Sequence, residues 1–315
     1  MSDRRALLAD AVARLAATGV PSPEHDAAEL LAHALGTTRA SLALVQEVPE
    51  EAAAEFATLI ARRAERKPLQ HLTGVTGFRH VELAVGPGVF TPRPETELLA
   101  GWAIDAVHRG SSAAEAHRGS SAAEERGGVS RPRGGASRPR GGVSRPPVVV
   151  DLCTGSGAIA KAIAHEVPTA EVHACELSED AFVWAERNLA GSGVDLRRGD
   201  LATEFGDLLG AVDVIVCNPP YVPLDAWESV APEARDHDPH LALFSGDDGL
   251  DAIRVVAHRA AALLRPGGVV GVEHADAQGE SAPAVFAATG HWTEIRDHRD
   301  LAGRPRFTTA RRVQG

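Results

Sequence analysis

From Pro147 onward the chain repeats one pattern: a short apolar run, a turn, then a stretch whose apolar residues recur at helical spacing. Strands are expected at 148–152, 171–175, 195–198, 213–217 and 268–274, with two more near 291–298 and 305–312. Helices are expected between them over 156–165, 178–190, 247–264 and 277–288. Runs such as Val148-Val149-Val150 and Val214-Ile215-Val216 lack the apolar–polar alternation of a half-exposed strand, so they belong to strands covered on both faces. The alternation therefore implies an α/β fold: a seven-stranded, mostly parallel sheet with helices on both sides.

Open sheets of this kind bind ligands beyond the carboxyl ends of their strands, so the residues ending each run are the candidates for function. Asp151-Leu152-Cys153-Thr154-Gly155-Ser156-Gly157 joins the first strand to its helix, and its glycines let backbone approach a ligand closely. No Gly-Lys-Ser/Thr follows, so this is not a phosphate-binding P-loop. Glu176 ends the second strand, where an acid accepts from ribose hydroxyls. Asp200 and Leu201 follow the third, where Asp200 is placed to take an adenine amino group. Together these strand ends fit an adenosine-containing ligand, and NAD stays open although the loop is shorter than Gly-x-Gly-x-x-Gly. The fourth strand stops abruptly at Asn218-Pro219-Pro220-Tyr221, since neither proline can donate to a sheet ladder. Taken alone, that tetrapeptide is also an ordinary turn.

The amino-terminal part has a different composition. Helical stripes over 3–18, 22–36 and 50–66 suggest a small helical bundle covering residues 1–67. Residues 68–107 follow as a linker. Pro68–Gly74 reads as a loop, 80–85 as a half-exposed strand, and Gly86-Pro87-Gly88 as the turn of a β-hairpin. In Phe90-Thr91-Pro92-Arg93-Pro94-Glu95-Thr96-Glu97 two prolines clamp Arg93 ahead of a helix, which suits a lid over a ligand. Residues 108–147 repeat His-Arg-Gly-Ser-Ser-Ala-Ala-Glu twice and Gly-Gly-Val/Ala-Ser-Arg-Pro three times. With few apolar residues to bury, this insertion is expected to be disordered and dispensable. The catalytic part would then be 148–315.

Asn218–Tyr221, set after a glycine loop and Glu176, resembles S-adenosylmethionine-dependent methyltransferases acting on amino or amide nitrogens. Pro68–Gly74, Phe90–Glu97, Asp151–Ile159, Leu241–Asp251 and Asp300–Arg304 narrow the resemblance to the peptide chain release factor N5-glutamine methyltransferases (PrmC, also called HemK). It implies a Rossmann-like class I S-adenosylmethionine-dependent domain and N5-methylation of the glutamine in the Gly-Gly-Gln motif of bacterial release factors, with the helical domain helping to dock that partner. Carried over, Cys153, Thr154, Gly155, Ser156 and Gly157 form the cofactor loop. Glu176, Asp200, Leu201, Arg93 and Asn218 complete the cofactor site. Asn218 and Pro219 act in catalysis, and Asn218, Pro219, Pro220 and Tyr221 shape the glutamine pocket. Cys153 stands where that family usually has glycine, which requires ordinary backbone angles at this position. Gly271–Ala275 is a loose version of the family's fifth strand and receives no role.

Two other readings stay open: a DNA adenine N6-methyltransferase, and a non-catalytic adenosine-binding module. A DNA enzyme needs a basic groove and base flipping. The chain carries a net charge of −11, and residues 148–315 hold 14 Lys/Arg against 26 Asp/Glu, so stable nucleic-acid binding is not expected. Cys153, Cys175 and Cys217 show no metal-ligand spacing and are expected to be reduced. With no signal-peptide pattern and no apolar run of ~20 residues, a cytoplasmic protein without a membrane partner is expected.

Overall fold

The computed structural model describes residues 1–124 and 145–314. Its centre is a seven-stranded sheet: β1 (Val148–Leu152), β2 (Glu171–Glu176), β3 (Asp195–Arg198), β4 (Val212–Cys217), β5 (Leu264–Glu273), β6 (Trp292–Arg299) and β7 (Pro305–Arg312). The spatial order is β6-β7-β5-β4-β1-β2-β3. The strands β3, β2, β1, β4 and β5 run parallel. The last strand, β7, lies antiparallel to both β5 and β6. This is the expected α/β fold. After β1 the chain builds outward through β2 and β3, then returns to β4 and builds the other way, so the order reverses between β1 and β4. A crevice opens beyond the strand ends at such a reversal.

Two cores explain why the sheet needs both faces covered. On one face Leu99, Ala103, Ile159 and Ile163 pack with Val149, Val214 and Val216. On the other, Ile253, Val256 and Phe286 pack with Val150, Ile215 and Val270. Consecutive residues of β1 and β4 thus alternate between two apolar layers, which is why those runs show no polar alternation. A third core, with Leu15, Leu30, Leu31, Phe56 and Ile60, belongs to the amino-terminal helices Arg4–Ala17, Pro23–Ala34 and Glu50–Ala64.

Several boundaries differ from expectation for local reasons. Pro68–Gly74 is not a loop: Leu69–Thr73 is a short helix closed by Gly74 in the left-handed conformation. The hairpin pairs Val75–Phe78 with Val81–Ala84 and turns at Arg79-His80, not at Gly86–Gly88. The helix expected over 247–264 begins only at Asp251, because Gly246 (φ +71°) and Gly249 (φ +73°) take left-handed angles that a helix cannot contain. The linker helix Thr96–Glu124 runs past the expected limit at 107. The rest of the expected disordered insertion, 125–144, lies outside the described residues.

The helical domain is joined to the catalytic domain by charge. Arg63, only 5 % exposed, donates to Asp26 (2.7 Å) and to Glu233 (3.0 Å). Arg66 grips Glu233 through two bonds of 2.8 and 2.7 Å. Glu233 sits in the short helix Pro232–His237, in the connection that follows Asn218–Tyr221. Burial alone would raise the Glu233 pKa, but the Arg66 and Arg63 guanidinium groups outweigh it and hold the carboxyl at about 2. The stabilisation from this pairing is therefore complete above the ordinary glutamate value near 4.5 and fades as pH falls towards about 2. Glu233→Ala leaves two arginines without their shared acceptor and should cost about 1–3 kcal/mol. Urea unfolding should show residues 1–67 melting ahead of the sheet in the variant; coincident transitions at the wild-type midpoint would contradict this joint.

Candidate active site

The glycine loop starts where β1 ends. Asp151 is fully buried; its Oδ2 accepts from Thr154 Oγ1 (2.7 Å) and from the Ala160 amide (3.2 Å), which folds the loop back over the helix Ala158–Glu166. Its Oδ1 has no hydrogen-bond partner among the described residues. Burial, only partly offset by the Thr154 and Ala160 bonds, pushes its pKa up to about 7. Glu176, at the end of β2, accepts from the Gly155 amide (2.8 Å) with Oε2 and from the Ser178 amide (2.8 Å) with Oε1. Burial raises its pKa. The same carboxylate therefore ties the loop to β2 and keeps a further acceptor lone pair on each oxygen.

The two loop glycines differ in purpose. A Cβ on Gly155 (φ +57°) would meet nothing within 4 Å, so the backbone here faces open space as a ligand cradle requires. A Cβ on Gly157 (φ +84°) would strike Leu189 at 2.9 Å, so that glycine serves packing. Cys153 overturns its expectation: its φ is +73°, in the left-handed region, where a side chain costs about 1–2 kcal/mol. Asp200 is exposed beyond β3, with Oδ1 accepting from the Ala202 amide (2.8 Å), and Leu201 packs against the sheet core. The open glycine backbone, a buried acid with free lone pairs and a surface acid one strand further on fit an adenosine-bearing cofactor.

Across the reversal, β4 ends in Asn218-Pro219-Pro220-Tyr221. Asn218 Nδ2 donates to Thr96 Oγ1 (3.3 Å), the first residue of the linker helix. The Tyr221 hydroxyl donates to Glu273 Oε1 (3.2 Å) at the end of β5. The Tyr221 main chain is also held, its amide by Leu243 O (3.1 Å) and its carbonyl by Gln278 Nε2 (3.0 Å). A Cβ on Gly249 would lie 2.2 Å from that carbonyl, so this position tolerates only glycine. Arg93, expected in the cofactor site, donates to Asp238 Oδ2 (2.6 Å) and lies over the Phe90 ring. Burial raises the Asp238 pKa to about 6, with Arg93 opposing. The Phe90–Glu97 loop is thus latched to the segment following Tyr221.

Glu273 escaped the sequence reading. It is 1 % exposed, and burial pushes its pKa up to about 7 against the lowering effects of Thr96, Arg306 and Tyr221. An acid closing an otherwise apolar run, Val269–Val272, was the available signal. Among the described residues no cluster of His, Cys, Asp and Glu could hold a metal ion, and no helix is long and apolar enough to cross a membrane.

Comparison with known proteins agrees with this geometry. Residues 6–74 match the family described as PrmC N-terminal domain, and residues 144–232 match the methyltransferase small domain. A release factor glutamine methyltransferase of Streptomyces coelicolor is 52% identical over 97% of both chains. Proteins of the same description from Mycolicibacterium smegmatis (41% identical, 99% of each chain) and Deinococcus radiodurans (38%, 99% of each) also match along their whole length.

Two outcomes are expected for the loop. Cys153→Gly relieves strain of about 1–2 kcal/mol and loses about 0.4–1 kcal/mol to a freer unfolded chain, so the melting temperature should rise slightly. A fall would show that the thiol's packing matters more. A raised pKa at Asp151 means that this group's contribution to stability is complete below the ordinary aspartate value of 3.8 and is lost as pH rises through about 7. Asp151→Asn should flatten that part of the stability–pH curve in chemical unfolding; an unchanged slope would contradict the assignment.

Proposed function

The chain belongs to the release factor glutamine methyltransferase family, and on that premise we propose that Asn218 and Pro219 hold the glutamine of a release factor's Gly-Gly-Gln motif for methylation at N5. S-adenosyl-L-methionine is the cofactor and supplies an already activated methyl group. Cys153–Gly157 and Glu176 would hold it on the β1–β2 side of the crevice, with Asp200 and Leu201 at its adenine end. Arg93, latched to Asp238, completes the cofactor site in this reading.

The work left to the protein is set by the amide. Its nitrogen lone pair is delocalised into the carbonyl, so it is a weak nucleophile until the group is oriented and its conjugation loosened. Asn218 Oδ1 and the Pro219 carbonyl can accept the two N–H bonds. Both acceptors gain strength as positive charge develops on nitrogen, so they favour the transition state over the bound substrate. Pro219 and Pro220 fix the backbone that carries them, which limits the reorganisation needed at the moment of reaction. Tyr221 forms the floor of the pocket, and its ring packs with the buried core of that face.

The observation that carries this reading is the Asn218–Thr96 bond. With Nδ2 occupied by Thr96, the Asn218 amide has its oxygen left to accept from a substrate NH2. A DNA adenine would need the same acceptors, but the acidic charge of residues 148–315 and the relatives' activity favour a protein amide. The helical domain, held at Glu233 in the connection that follows Tyr221, supports a role in receiving the protein partner.

Asn218→Ala should lower methylation about 10²–10³-fold, the usual loss on removing one transition-state hydrogen-bonding group. Affinity for S-adenosyl-L-methionine should stay close to wild type. Labelled cofactor offered with release factor, with DNA, or with neither should mark only the Gly-Gly-Gln peptide, by one methyl in mass spectrometry. Full activity of the variant would refute the role of Asn218, and labelled DNA would refute the substrate.

A further inference from the structure

We propose that Glu273 is a positioning residue for this reaction: from the end of β5 it fixes the Tyr221 hydroxyl and, across Thr96, the orientation of the Asn218 amide. The inference rests on the reading that Asn218 and Tyr221 shape the glutamine pocket.

The register of the sheet brings these groups together. Strands β4 and β5 are parallel, with Cys217 opposite Val272. The next residue on each strand is Asn218 and Glu273, so the two leave the sheet side by side. Glu273 Oε1 accepts from Tyr221, while Oε2 has no hydrogen-bond partner among the described residues. A carboxyl group placed this deep without full pairing is costly, and packing alone would favour an apolar residue. Thr96, 3 % exposed, lies against Glu273 and accepts from Asn218 Nδ2. A Thr96 hydroxyl whose proton is turned towards the Glu273 charge can offer Asn218 only a lone pair. That bond leaves the Asn218 oxygen, not its NH2, as the group presented to substrate.

The protonation state of Glu273 decides this arrangement. The groups facing it are Tyr221 after β4, Thr96 and Glu95 at the start of the linker helix, and Arg306 on β7. Arg306 is itself paired with Asp300 (3.4 Å). As a carboxylate, Glu273 accepts from Tyr221 and its charge favours a Thr96 hydroxyl whose proton is turned towards it. Once protonated, it has a donor of its own, the Thr96 hydroxyl can turn, and the Asn218 amide is free to flip. Ionised Glu273 is therefore the productive form, and turnover rises with pH through its titration. Tyr221, the one tyrosine in the chain, reports on the same contact without substrate: burial and the Glu273 charge both raise its pKa.

Glu273→Gln keeps the size and an acceptor for Tyr221 but removes the charge. The measurements are release-factor methylation from about pH 6 to about pH 9, KM for S-adenosyl-L-methionine, and ultraviolet titration of the sole tyrosine. We expect kcat to fall about tenfold, KM for the cofactor to hold, the rise of kcat near neutral pH to vanish, and Tyr221 to ionise at lower pH. A variant with wild-type kcat, pH profile and tyrosine titration, while Asn218→Ala is inactive, would overturn the role of Glu273 and leave the pocket reading standing. An active Asn218→Ala would instead remove the reading itself. Should Glu273→Gln fail to fold, Thr96→Val removes the hydroxyl that lies between Glu273 and Asn218. Folded Thr96→Val with wild-type kcat overturns the proposal, and a tenfold loss with an intact tyrosine titration supports it.

Discussion

A strand buried on both faces has no solvent-facing side on which to place polar groups. That constraint governs the catalytic domain. β1 and β4 lie between two apolar layers, so the chemistry of the chain collects where they stop. The reversal of strand order between them then sets the glycine loop of one beside the Asn-Pro-Pro-Tyr turn of the other. The two halves of the candidate site are thus neighbouring ends of two hydrogen-bonded strands.

The site is organised by a few carboxylates that have been taken out of water and given work. Asp151 folds the glycine loop, Glu176 ties that loop to β2, and Glu273 stands behind Tyr221. Each is pushed upward in pKa by burial, and each is held by hydrogen bonds that favour its charged form. Asp238 does the same for Arg93 further out. These groups cost stability in isolation, and they restrict the loops to one arrangement. Cys153 adds strain at the same place, as a non-glycine residue in left-handed backbone. Stability concentrated in the apolar layers is what allows such features at their edge.

The outer ring of contacts couples this site to the helical domain. Glu233 follows the Asn-Pro-Pro-Tyr turn within the same connection, and it is the acceptor for Arg63 and Arg66. His71, on the short helix Leu69–Thr73, contacts Thr91 at 3.3 Å, in the loop that carries Arg93. Burial, with the charges of His237 and Arg93, lowers its pKa to about 4, so it sits neutral in this joint. The helical domain is therefore in contact with both the Phe90–Glu97 loop and the connection that follows Tyr221.

Periodicity and strand-ending residues were enough, from the sequence, for the α/β sheet, a candidate site at the carboxyl ends of its strands, the glycine loop, the position of Glu176 and the Asn-Pro-Pro-Tyr turn. Those are local facts: two prolines stop a strand whatever surrounds them, and an unbroken apolar run must be buried. Three things were decided only by tertiary structure. The left-handed angle of Cys153 follows from how the loop must turn towards β2, which no propensity of cysteine announces. The pairing of Arg93 with Asp238, and of Arg63 and Arg66 with Glu233, joins residues 145 or more positions apart. Glu273 became meaningful only when the β4–β5 register set it beside Asn218 and under Tyr221. A charge at a strand end has many uses; which neighbours it meets is fixed by register and packing, and those are properties of the whole sheet.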